Sequence, residues 1–192
     1  MKRRMTALAA TAALSLLALA GCTMPGGPMY GGPMYGNDNG TSNSDDRNSA
    51  DLMFVMMMIP HHQDAIEMSD LLLKKDDIPD GVVAMAEQIK AAQQPEIDLM
   101  ESWLDQWGVA GSMGGMNHGM MSGDDMAALD DATGDAAADL FLEQMIVHHD
   151  GAIVMAEQVI GGGRNQDVRV LAESIVVSQA AEIATMRQLL GG

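Results

Sequence analysis

Cysteine is all but missing from this 192-residue chain, and Cys22 alone allows neither an intrachain disulfide nor a thiolate cluster. Aromatic residues are scarce, at 3%, so the 20 methionines must do much of the core filling, a task their flexible thioethers suit. Positive charge is short too. Ten Lys and Arg stand against 27 Asp and Glu, a net −17, which makes nucleic acid and anionic lipid headgroups poor partners and cations good ones. Runs of β-branched residues are few, while Ala, Leu, Met, Glu and Gln abound, and this predicts an all-α fold. A G-x-S-x-G elbow, a P-loop and a Cys cluster are all absent, which removes the serine hydrolases, the P-loop enzymes and the zinc fingers that those motifs mark.

What is there begins with a leader. Lys2, Arg3 and Arg4 precede an apolar run from Thr6 to Ala20, too short and too one-sided for a spanning helix, and it reads as a secretory signal over residues 1–21. Leu19-Ala20-Gly21-Cys22 resembles the bacterial lipobox. That resemblance implies cleavage before Cys22 and lipid attachment to it, hence a membrane anchor in the cell envelope. Loss of the leader takes the net charge three units further negative. Residues 22–49 repeat GGPMY and are rich in Gly, Pro, Asn and Ser, a composition that cannot bury enough apolar area to fold and serves as a tether. Met24, Met29 and Met34 within it are linker residues first and soft ligands second.

The folded part is predicted over residues 50–192, and it is a duplication. Phe54–Ser69 and Phe141–Ala156 share eight of sixteen aligned positions, including both members of a His-His pair (His61 and His62; His148 and His149), a preceding Met (Met58, Met145) and a following one (Met68, Met155). Further on, Ala86-Glu87-x-Ile89-x3-Gln93-x2-Glu96-Ile97-x2-Met100 recurs as Ala172-Glu173-x-Ile175-x3-Gln179-x2-Glu182-Ile183-x2-Met186. Two helical hairpins, 50–107 and 136–190, joined by a Met-rich linker over 108–135, predict a four-helix bundle. Helices are expected at about Ala50–Lys75, Asp80–Trp107, Ala136–Gly161 and Asp167–Leu190. Pro60 and Pro95 oppose helix continuity, but Val147 and Ala181 at the matching places favour helices that continue through them.

Helical geometry turns the histidines inward. With about 100° per residue, His61 falls about 60° to one side of Met58 and His62 about 40° to the other, both within the apolar stripe. The same projection aims Gln93, Glu96 and Met100, and by repetition Gln179, Glu182 and Met186, into the bundle. A carboxylate away from water costs several kcal/mol unless it is paired or metal-bound, and the histidines are its candidate partners. Each residue taken singly has a bland explanation: Met as core filler, His as a hydrogen-bonded core residue. Two features favour metal ligation. The duplicated core keeps its polar members, and the linker gathers Met113, Met116, His118, Met120 and Met121 where packing has little use for them. Imidazole suits several transition metals and thioether selects Cu(I).

MIPHHQDAIEMS, the later MIVHHDGAIVMAEQ and the two AE-x-I-x3-Q-x2-EI-x2-M segments resemble the bacterial family named domain of unknown function three hundred and five. The resemblance implies an exported, ferritin-like four-helix bundle, with some members tied to copper binding and copper tolerance. Its motif positions here are Met58, His61, His62, Met145, His148 and His149. The resulting expectation is a copper-binding envelope lipoprotein that sequesters or transfers Cu(I), or Cu(II) at the imidazoles. Its partners would be the metal ion, a metal-exporting or metal-accepting protein and a second copy of itself. Two alternatives stay open: a ferritin-like di-metal oxidase or peroxide-handling enzyme, and a structural envelope module whose His/Glu network only specifies packing. The enzyme is the weaker fit, because such sites use Glu-x-x-His on two helices and none occurs on the inner face.

Overall fold

The computed structural model describes residues 46–109 and 121–191. The leader and the tether through residue 45, with Cys22, Met24, Met29 and Met34, lie outside them, as do Met113, Met116, His118 and Met120. Of the last four residues of the expected tether, Asn48 instead caps α1 and Ser49 opens it. The described residues are all helix and loop: α1 (Ser49–Leu73), α2 (Asp80–Gln106), α3 (Gly123–Asp131), α4 (Gly134–Gly162) and α5 (Gln166–Leu190). Helices α1 and α2 run unbroken through Pro60 and Pro95. Packing of an amphipathic face outweighs one missing donor in each.

The expected linker is not irregular throughout, since α3 occupies nine of its residues. Ser122 and Asp125 form a reciprocal capping box at its start, a pattern that marks a helix N-terminus, and Leu129 is fully buried. A helix this short is unstable alone; the burial of Leu129 holds it. Helix α2 ends in a Schellman motif. The Gly108 N–H donates to Asp105 O, the Val109 N–H donates to Leu104 O, and Gly108 takes the positive φ of 70° that glycine accepts without penalty.

Each hairpin packs on itself, α1 against α2 and α4 against α5, and the two hairpins meet chiefly along α1 and α4. The apolar interior divides in two. The first core joins residues 54–59 of α1, 97–104 of α2, 152–159 of α4 and 168–175 of α5. The second joins residues 65–72, 82–89, 137–145 and 183–186 of the same helices, together with Leu129 of α3. Along all four long helices, the residues between these blocks are the polar ones: His61, His62, Gln93, Glu96, His148, His149, Gln179 and Glu182. A polar layer therefore cuts the bundle across its middle, and α1 and α4 cross it in opposite directions.

One end of the bundle is fastened by a buried carboxylate that no motif in the sequence marks. The Asp51 carboxylate, wholly buried, accepts from the backbone N–H groups of Asn48, Arg164 and Asn165, and so ties the start of α1 to the α4–α5 turn. Asn48 adds a bond from Nδ2 to Gly162 O at 2.8 Å. Gly163 makes room for this. A Cβ there would come within 2.5 Å of Asp51 Oδ1 and 2.7 Å of Val159 O. Gly163→Ala is expected to cost roughly 1–3 kcal/mol by overpacking, seen as a lower urea midpoint at unchanged slope.

Candidate metal centre

The polar layer is built by sequence period. His61 and His62 are consecutive on α1, so their rings diverge, with centroids 6.5 Å apart; His148 and His149 on α4 repeat this at 6.3 Å. Each pair then splits its duties. His62 Nε2 meets Glu96 Oε2 at 2.7 Å, and His149 Nε2 meets Glu182 Oε2 at 2.8 Å. A carboxylate only accepts, so Nε2 is the donor in both, by inference from the bond. In both rings Nδ1 is buried without a hydrogen-bond partner.

The remaining two rings turn to each other. His61 and His148 lie with centroids 3.7 Å apart, tilted by 41°, one from each hairpin. All four of their ring nitrogens are buried and lack a partner of ordinary hydrogen-bond geometry. Burial, followed by repulsion from the charged forms of His62 and His149, lowers the pKa of His61 to about 3. Burial, with repulsion from the other three rings, holds His148 well below its usual 6.5, against a small opposing pull from the His61 backbone. Both are thus neutral imidazoles with an available lone pair. Gln93 and Gln179, almost fully buried, also leave amide oxygen and nitrogen unpaired.

The sign of the pH dependence follows. Below about pH 6.5 the unfolded chain protonates these two rings while the native state does not, so stability rises with pH and is lost as pH falls below about 6.5, for His61 down to about 3. Each ring contributes up to about 1.4 kcal/mol per pH unit in that window. Thermal unfolding between pH 6.5 and 5, above most carboxylate titration, is expected to show this slope. His61→Leu with His148→Leu should flatten it.

The six methionines of the repeated segments sort by the duplication rather than by hairpin, while Met85, also buried in the second core, has Leu171 as its counterpart. Met58 and Met100 are buried in the first core with the half-buried Met155 of α4 against them; Met145 and Met186 are buried in the second with Met68 of α1. The duplication maps each trio onto the other. Both thus draw a sulfur from the opposite hairpin. Met121 is half-buried and packs on the second core, so it has a packing role that the sequence did not suggest.

Among the described residues no three His, Cys, Asp or Glu side chains converge closely enough to hold a metal ion. The layer offers soft or neutral donors in ones and twos, with thioethers on either side. Such a set suits a soft, low-coordinate ion better than a hard one that demands several oxygens. A carboxylate behind an imidazole is also the usual second support of a metal-bound histidine, fixing its tautomer and orientation. No described helix is long and apolar enough to cross a membrane.

Residues 51–190 match the family described as "Domain of unknown function (DUF305)". A DUF305 protein from Streptomyces coelicolor is 32% identical, with a TM-score of 0.66 over 74% of this chain and 93% of its own. CopM in its Cu(II)-bound form is 35% identical, with a TM-score of 0.63 over 73% and 95%. In its Cu(I)-bound form it is 34% identical, with a TM-score of 0.61 over 72% and 94%. No curated protein matches the chain.

Proposed function

This chain belongs to the DUF305 family, and on that premise we propose that it is an extracytoplasmic copper-binding protein that sequesters or hands on Cu(I), and takes Cu(II) at its imidazoles. The observation that carries the proposal is the layer of four buried histidines. Their six unpartnered ring nitrogens are costly in an apoprotein, since a buried polar group without a partner costs about 1–3 kcal/mol. A bound ion would offset that cost. The copper-bound forms of CopM, at 34–35% identity, support the choice of metal.

The ligands are drawn from Met58, His61, His62, Met68, Met100, Met145, His148, His149, Met155 and Met186, with Glu96 and Glu182 orienting His62 and His149. The Met/His-rich linker (Met113, Met116, His118, Met120, Met121) is proposed as a second, looser collecting point. His61 and His148 are in ring-to-ring contact, and imidazole lone pairs lie in the ring plane. An ion would therefore meet these rings at their edges, where the flanking sulfurs can complete its shell. Binding and release suffice for this role, and no catalytic group is assigned. Both inward carboxylates are already engaged by a histidine, which disfavours a carboxylate-bridged di-metal oxidase.

Export through the leader and anchorage at lipidated Cys22 would place the domain on the outer side of a membrane. There a site without thiols escapes oxidation to disulfides. Its acidic surface would raise the local concentration of cations. Titration of the folded domain against a competing Cu(I) chelator is expected to give a Kd of about 1 μM or tighter, near −8 kcal/mol. Failure to compete at any ratio removes the copper reading.

A further inference from the structure

The duplication is broken at one point beside the polar layer. On α2, Gln88 Nε2 donates to Glu182 Oε1 at 3.1 Å across the hairpin interface, so both oxygens of Glu182 are engaged, one by Gln88 and one by His149. The repeat places Ser174 of α5 where a counterpart of Gln88 would reach Glu96. Serine is too short for that. Among the described residues Glu96 bonds only to His62, and its side chain is 20% exposed against 7% for Glu182. Ser174 lines a cleft of about 420 Å³ between α2 and α5, with Leu99, Trp103, Val170 and Leu171 as the apolar wall and Asp167 at the rim. Leu99 is one turn beyond Glu96 on the same helix. A polar layer with two equivalent halves thus has one carboxylate capped and the other uncapped, one helical turn from a residue that lines this cleft.

We propose that the bundle has a single port: the α2–α5 cleft at Ser174, through which a cation reaches the Glu96–His62 half of the layer, while Gln88 seals the equivalent entrance over Glu182. Glu96 is the innermost charged group on this path, and its negative charge attracts the ion that its histidine then receives. Asp167 at the rim extends the same field outward. This proposal rests on the copper-binding reading for its cargo, but the port itself is a matter of access and can be tested without metal.

Two measurements on the folded domain, after removal of the leader, test it. Carbodiimide with a small amine probe, read by peptide mass spectrometry, is expected to modify Glu96 about tenfold faster than Glu182. Ser174→Gln should protect Glu96, and Gln88→Ser should expose Glu182. Stopped-flow loading with Cu(I) alone should slow about tenfold in Ser174→Gln with the same end point, and should not slow in Gln88→Ser. Equal modification of the two carboxylates in the unaltered domain overturns the port, and that comparison needs no variant to fold. An unchanged loading rate in Ser174→Gln also overturns it. A domain that modifies Glu96 preferentially but takes up no copper keeps the port and discards the copper reading; one that loads copper with equal modification does the reverse.

Discussion

Replacing His61 and His148 together by leucine is expected to abolish tight copper uptake and, at the same time, to stabilise the metal-free domain. The two effects have one cause. These rings bury four nitrogens without hydrogen-bond partners, and each unsatisfied buried group costs about 1–3 kcal/mol relative to an apolar group of similar shape. Leucine fills comparable volume without that cost. A net gain of about 2–4 kcal/mol would raise the Tm of a domain this size by roughly 5–15 °C. Copper affinity should fall by at least about a hundredfold, or about 2.7 kcal/mol, because the imidazole contact that joins the hairpins among the described residues is gone. Differential scanning calorimetry and chelator competition on the same preparation check both halves. A collapse in Tm with unchanged uptake would make the rings structural and would end the ligand assignment.

Asp51→Ala is expected to have the opposite profile, with large damage to folding and little to binding. The buried carboxylate accepts three backbone N–H groups from two separate turns, and alanine would leave these donors without a charged acceptor. Each buried donor left without its acceptor costs about 1–3 kcal/mol, so the loss should come to at least about 3 kcal/mol. Asp51 precedes His61 by ten residues, about 15 Å along the helix, so copper affinity in the fraction that folds should be unchanged. Urea unfolding gives the first quantity and chelator competition the second. Gly163→Ala crowds the same carboxylate, so the double variant should cost less than the two single costs together. Strict additivity would mean that the two residues act independently.

Much of this was legible in the residues. The doubled motif predicts two hairpins, and the helical period predicts that both histidines of each pair, with Gln93 and Gln179, face inward; all six are buried. Glu182 is buried too, whereas Glu96 is partly exposed. Period alone could not distinguish them, because the difference comes from Gln88 and Ser174, residues on the exposed side of α2 and α5. Helix α3 carried a readable signal in its Ser122–Asp125 capping box, masked by the glycine-rich run before it. Asp51 was hidden for another reason. A first-turn aspartate looks like an ordinary helix cap, and only the turn 113 residues later makes it a buried anchor.

Composition and period determined that this chain makes amphipathic helices, that the helices come in duplicated pairs, and which side chains each one turns inward. These are local properties, decided by the backbone's own repeat. Tertiary structure alone decided that His62 and His149 take the carboxylates while His61 and His148 take each other, that each methionine trio borrows from the opposite hairpin, and that one carboxylate of the layer is capped while the other is not. Those outcomes depend on how far one helix is rotated and slid against another. That adjustment is set by the packing of all four long helices at once, and no single stretch of sequence contains it.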